Sequence, residues 1–212
     1  PGPDKIIASN SFGLAGIVRH AGGIPVDLGI APDNREALAA AVGKARNANA
    51  DVLVTLGGAS VGDHDIVQDV LVSEGLSLVF CKIAMRPGKP LMFGQFGNAR
   101  FLGLPGNPVS AMVTARLFLV PLIQALTGLR ESTSGGTTAR LGADLGENDQ
   151  RQDYLRATTE KDADGTLVAT PFGKQDSSML ATLAKADALI IRPPFAPPAK
   201  AGETCRVLLM DF

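Results

Sequence analysis

At 212 residues, with 45% hydrophobic and 19% charged side chains, the chain can bury one substantial core or two modest ones and does not have a disordered composition. Its formal net charge of −1 lacks the basic surplus of a general nucleic-acid binder, and no uninterrupted apolar run approaches the roughly 18 residues of a bilayer span. Cys81 and Cys205 lie far apart without metal-ligand spacing, and His20 and His64 alone cannot make a histidine-rich zinc site, so the expectation is a reduced, cytoplasmic protein with no nucleic-acid or membrane partner.

The chain opens at Pro1 with neither an initiator methionine nor a signal peptide, and reads as a piece of a longer protein. Ser9 can cap a first helix carrying Leu14, Ile17 and Val18, which Gly22-Gly23 would end. Residues 24–30 alternate apolar and polar like a strand. Asp33 opens a second helix with Glu36 as its capping-box partner, running through Leu38 and Val42 to about Asn47. Val52-Leu53-Val54 is a buried strand, followed by a glycine-rich turn and a helix on Ile66, Val67, Val70 and Leu71 that closes near Gly75. Residues 76–83 form another strand. Two more, at 91–93 and 101–104, flank a Gly97-Asn98 turn, and a long helix over 109–126 is kinked or interrupted at Pro121. Alternating helices and strands predict a three-layer α/β/α domain over residues 1–128.

Residues 129–137 are a linker by composition, rich in Ser, Thr and Gly. Beyond it, residues 138–212 hold short strand-like runs around 154–159, 166–170, 188–191 and 205–209. Asp164-Gly165 signals a hairpin, and Pro193-Pro194 and Pro197-Pro198 mark a loop. The prediction is a small, mostly β, barrel-like domain.

Several turns would collect outside the carboxyl ends of the first domain's strands, where such sheets bind ligands. In Gly57-Gly58-Ala59-Ser60-Val61-Gly62-Asp63-His64-Asp65, glycines let backbone approach a ligand, and the following helix offers free N–H groups to an oxyanion. Asp65 either binds a hard cation or caps that helix with Gln68 as reciprocal partner. Asp33 likewise reaches a metal or serves only as a cap. The basic loop at 82–90 places Lys82, Arg86 and Lys89 close together, so an anion or acidic neighbours must offset their repulsion. Finally, Pro105-Gly106-Asn107-Pro108-Val109-Ser110 leads into the long helix with a proline near its start, as an anion cradle or a plain loop.

Taken in order, the 57–65 turn, Arg86-Pro87-Gly88-Lys89-Pro90 and Leu104-Pro105-Gly106-Asn107-Pro108-Val109-Ser110-Ala111 resemble the molybdopterin molybdenumtransferases, the bacterial MoeA proteins and the gephyrin E domain. The similarity continues through Arg151-Gln152-Asp153-Tyr154-Leu155-Arg156 and Gln175-Asp176-Ser177-Ser178-Met179-Leu180. The resemblance implies Mg²⁺-dependent insertion of molybdate into adenylylated molybdopterin with release of AMP. It implies Asp33 and Asp65 as metal-holding and catalytic carboxylates. Around the phosphate and molybdate it implies Gly57, Gly58, Ser60, Gly62, Asp63, Lys82, Arg86, Lys89, Pro105, Gly106, Asn107, Pro108 and Ser110.

Arg86 stands where many relatives carry lysine, and Ala8 where they often carry aspartate. The family's two N-terminal domains have no counterpart, and its sites are completed across a homodimer, so the chain is expected to be a fragment incomplete for catalysis alone. Further expected partners are the adenylyltransferase of the preceding step and recipient molybdoenzymes. The alternatives are that adenylyltransferase itself, which shares the α/β fold, and a gephyrin-like scaffold without catalysis.

Overall fold

The computed structural model describes residues 9–58, 66–129 and 136–210, which fall into two compact units. Pro1–Ile83 with Gly88–Ile123 forms the first, and Ala84–Pro87 with Gln124–Phe212 the second.

In the first unit the described strands are β1 (Val52–Leu56), β2 (Leu76–Phe80), β4 (Met92–Phe96) and β5 (Ala99–Leu104), in the spatial order β1-β5-β4-β2. The two-residue Gly97-Asn98 turn makes β4 and β5 an antiparallel hairpin, whereas β1 joins β5 in parallel from Val52↔Arg100 to Leu56↔Leu104. β4 also runs against β2, so β1, β5 and β2 share one direction and one carboxyl edge.

Helices α2 (Arg35–Asn47) and α3 (Ile66–Ser73) cover one face, where Val42 and Leu71 pack with Leu76, Met92, Phe96 and Phe101. Ion pairs tie them at both ends, Arg35 to Asp69 at 3.1 Å and Arg46 to Glu74 at 3.1 Å, and the Arg46 guanidinium lies 5.0 Å from the centre of the Phe96 ring. The opposite face, turned by the alternation of Leu102 and Leu104 against Phe101, receives α1 (Asn10–His20) and a long helix.

That long helix is α4 (Pro108–Thr114), a π-helical turn (Ala115–Leu119) and α5 (Val120–Leu126) in succession. The expected disturbance at Pro121 is accommodated one turn earlier. Proline has no N–H to donate and its ring crowds the carbonyl four residues back, and the wider turn, in which the Val120 N–H reaches the Ala115 carbonyl, relieves that crowding. Although no unbroken apolar run reaches membrane-spanning length, the helix Pro108–Leu126 as a whole is long and apolar enough to cross a bilayer; here it is mostly buried.

The second unit is a closed five-stranded barrel of β6 (Thr137–Leu141), β7 (Gln152–Lys161), β8 (Leu167–Pro171), β9 (Ala188–Arg192) and β10 (Thr204–Leu209). Its ring runs β7-β8-β6-β10-β9 and back to β7. A five-stranded ring leaves a narrow interior, and the buried set is dominated by alanine: Ala139, Ala157, Ala169, Ala188 and Ala199 beside Leu141, Ile190 and Val207. The Asp164-Gly165 hairpin joins β7 to β8 as expected, and a short helix, α6 (Leu180–Leu183), precedes β9. The two-residue strand β3 (Met85–Arg86) adds to the barrel's outside, parallel to the start of β7.

Several expectations are corrected. Residues 24–30 form no strand; the segment is irregular, with Ile24 90%, Val26 62% and Ile30 83% exposed, because no described strand pairs with it. The 76–83 strand stops at Phe80, and β6 begins inside the stretch read as linker. Ser9 precedes α1 without a side-chain cap bond. Asp33 does not cap α2: Asn34 does, its Oδ1 accepting the Ala37 N–H at 2.8 Å. An Asn-to-Ala change at such a cap costs about 1 kcal/mol. Asn34→Ala should therefore lower chemical-denaturation stability by ~1 kcal/mol and Asp33→Ala by much less, and equal losses would return the capping role to Asp33.

Candidate functional site

The shared carboxyl edge of β1, β5 and β2 gathers the loops that matter. β1 and β5 end in register, so the turns after them lie side by side. The Gly57 N–H donates to the Leu104 carbonyl at 3.0 Å. Gly57 and Gly106 approach closely enough that a Cβ built on Gly106 would lie 3.6 Å from the Gly57 Cα. Gly57 and Gly58 both adopt left-handed backbone, at φ 83° and 70°.

The second turn is held from another direction by Asn10, whose Nδ2 donates to the Gly106 carbonyl at 2.8 Å. That contact spans 96 positions and leaves no local signal in the sequence. Pro105 is buried, Gly106 and Asn107 are exposed, and Pro108 opens α4 at its first turn. Ser110 is buried, its carbonyl accepting the Thr114 hydroxyl at 2.7 Å. On β1 the Thr55 hydroxyl is buried with no hydrogen-bond partner among the described residues.

The stretch after β2 returns to this same edge, since β4 begins where β2 ends. The Ile83 N–H donates to the Lys89 carbonyl at 3.1 Å, closing the loop at its neck. Lys82 and Lys89 are exposed and make no ion pair among the described residues.

Arg86 behaves differently. It lies in the second unit, with Nε donating to Asp153 Oδ2 at 3.0 Å and Nη2 to the same oxygen. Nη1 reaches Asp149 at 3.2 Å, and Nη2 also reaches the Asn148 Oδ1 at 3.3 Å. The acidic neighbours that the clustered cations require are thus present for Arg86.

Arg151 completes the group. Its guanidinium and backbone N–H, with Arg86 behind them, hold the Asp149 carboxyl down to about 2. A depressed carboxylate contributes stability above its unfolded range and loses it as the pH falls through about 2. Arg156 is fully buried and burial pushes its guanidinium's pKa down; Gln175 Oε1 at 3.1 Å and the Asp176 carbonyl at 2.7 Å receive its donors.

Asp33 is exposed, just ahead of α2. The Arg35–Asp69 pair fastens the first turn of α2 to the first turn of α3. Asp33 therefore stands two residues from that fastening, and Asp65 immediately precedes Ile66, the first residue of α3. Asp65, Asp63, Ser60 and Gly62 lie outside the described residues. Among the described residues no cluster of three metal-ligating side chains occurs.

Residues 3–125 match the family described as "Probable molybdopterin binding domain", and residues 138–210 match "MoeA C-terminal region (domain IV)". A molybdopterin molybdenumtransferase of Nostoc is 36% identical over 196 residues, 90% of this chain and 44% of that protein. The one from Bacillus subtilis is 34% identical across 98% of this chain and 48% of its own length. Among solved structures, the molybdopterin biosynthesis MoeA protein from Pyrococcus horikosii superimposes with a TM-score of 0.80 at 28% identity, over 100% of this chain and 51% of that one. The chain thus spans about half the length of the curated relatives it matches.

The Gly57-Gly58 turn supplies a direct test of the site's backbone. A Cβ on Gly58 would sit 2.5 Å from Val67 Cγ2 on α3, at a φ that side chains avoid. Gly58→Ala should cost roughly 2–4 kcal/mol from left-handed strain and overpacking together, read as a lowered denaturation midpoint. An unchanged midpoint would show that the turn is not held as described.

Proposed function

The chain belongs to the molybdopterin-binding-domain family and continues into the MoeA C-terminal region, and from that membership we propose that it serves molybdenum cofactor biosynthesis as a molybdopterin molybdenumtransferase. The reaction proposed is insertion of molybdate into adenylylated molybdopterin with release of AMP. The observation that carries this reading is the edge-on meeting of the Gly57-Gly58 and Pro105-Gly106 turns, with Lys82 and Lys89 on the loop that returns to the same edge.

In this reading each feature has a physical task. The glycine turn brings backbone within reach of the phosphate without a Cβ in the way. Lys82 and Lys89, having no carboxylate to satisfy them, act as point charges toward phosphate and molybdate. Pro108 sets the start of α4, and Asn10 holds the turn before it, so the cradle is formed before substrate arrives.

The donor chemistry here also fits Mg²⁺. That ion keeps several waters and uses one or two carboxylates beside substrate phosphate. Asp33, exposed and relieved of capping by Asn34, is such a carboxylate, with Asp65 proposed as the second. When bound, the cation would offset charge on the reacting phosphate. The same reading makes the protein a cytoplasmic homodimer that receives its substrate from the adenylyltransferase and passes its product to molybdoenzymes.

The test is AMP release from adenylylated molybdopterin, dependent on both molybdate and Mg²⁺. Loss of that release in Asp65→Asn with folding intact supports the assignment, and full activity in that variant overturns the metal role. In binding alone, AMP at a hundredfold excess over its Kd should stabilise the fold by about 2.7 kcal/mol through mass action. Lys82→Ala or Lys89→Ala should shrink that gain, and a wild-type melting temperature indifferent to both AMP and molybdate would sink the proposal.

A further inference from the structure

We propose that Asp153 is a positioning residue for the anion site, acting through Arg86 on the loop that carries Lys82 and Lys89. The inference rests on the reading that those two lysines meet phosphate or molybdate. Nothing in the reaction itself calls for Asp153, which points at no substrate.

The carboxylate is 4% exposed and only half used. Its Oδ2 accepts both the Nε and Nη2 donors of Arg86, while its Oδ1 is buried with no hydrogen-bond partner among the described residues. As a stabilising device this is a poor bargain, because an apolar pair of similar volume often does as well as a buried ion pair. What the pair does offer is direction. The planar guanidinium reaches Asp153, Asp149 and Asn148 at once, a geometry that an ammonium group cannot copy.

Asn148 is itself fixed, its Nδ2 donating to the carbonyls of Arg151 at 2.8 Å and Pro193 at 2.8 Å. Arg86 is therefore held by groups that cannot easily follow it if it moves. Backbone pairing adds little: β3 has two residues, in register Met85↔Gln152 and Arg86↔Asp153, with the Gln152 N–H donating to the Ala84 carbonyl at 3.0 Å.

Covalent continuity carries the effect to the lysines. Lys89 follows Arg86 by three residues, so their Cα atoms can be no more than roughly 11 Å apart. The hydrogen bond from the Ile83 N–H to the Lys89 carbonyl joins the two limbs of the loop, so a displaced Arg86 would shift both ammonium groups. Asp153 thus sets where the cations stand without touching what they bind.

Calorimetric affinities for molybdate and for AMP, with melting temperatures, would be measured on the 212-residue chain and four variants. Lys89→Ala should weaken both anions about tenfold with little change in melting temperature. Asp153→Asn and Arg86→Lys should each weaken them severalfold. The paired change Asp153→Leu with Arg86→Met should recover the melting temperature but not the affinity, which a purely structural role would not produce.

A lower melting temperature with unchanged affinity in Asp153→Asn overturns the inference, as does recovery of both quantities in the apolar pair. If Asp153→Asn does not fold, Arg86→Lys and the apolar pair decide between the same outcomes. Unchanged affinity in Lys89→Ala has its own signature: it removes the anion-site reading and this inference with it.

Discussion

The parallel ladder between β1 and β5 is the constraint on which the first unit depends. Because Leu56 and Leu104 end in register, the chain must turn twice at one place, and only residues without side chains let both turns fit. The Gly57 N–H bonding back to the Leu104 carbonyl then joins the two turns as if the ladder continued one step further. Everything proposed for phosphate follows from that alignment: α4 starts where the second turn ends, and Asn10 reaches across from α1 to hold it. A register shift of one residue would turn Phe101 and Leu102 to opposite faces and part the turns.

Against this backbone frame, the charged side chains sort into two groups. Arg35, Arg46, Arg86, Arg140 and Arg151 all face carboxylates, and the exposed pairs among them add little stability. Their value is in placement: Arg35 and Arg46 align two helices, and Arg140 grips both Asp162 and Asp164 across the β7–β8 hairpin. Lys82 and Lys89 form the second group, with charge that no described carboxylate offsets. A short run of basic residues in the sequence therefore resolves into one cation used for architecture and two left for chemistry.

Local patterns were legible where the structure they specify is also local. The Val52 strand with its glycine turn, the Gly97-Asn98 hairpin and the Asp164-Gly165 hairpin need only neighbours in sequence, and all three occur. The 24–30 alternation misled because it tells which side of a strand would be apolar, not whether a partner strand stands beside it. Asp33 and Asn34 are equally good caps by residue type, and only backbone geometry chose between them. Arg86 could be seen as a cation needing an anion, but Asp149 and Asp153 lie more than sixty positions away, where charge spacing carries no information. Asn10 is hidden for the same reason. The order of the glycine, basic and Pro-Gly-Asn-Pro loops, in contrast, was enough to reach the family that residues 3–125 match.

The closed barrel has a consequence for how the protein is made. Its ring is completed by β10, which pairs with β6 through Thr137↔Val207 and with β9 through Leu209↔Ala188. During synthesis the sheet of the first unit has all its strands once Leu104 has left the ribosome, and its covering helices by Leu126. The barrel must wait for the 204–209 segment, and until then β6 and β9 each present a bare edge. The first unit can thus be born folded while the second is still an open sheet. A stalled or truncated product lacking β10 would carry a finished α/β unit joined to an adhesive one.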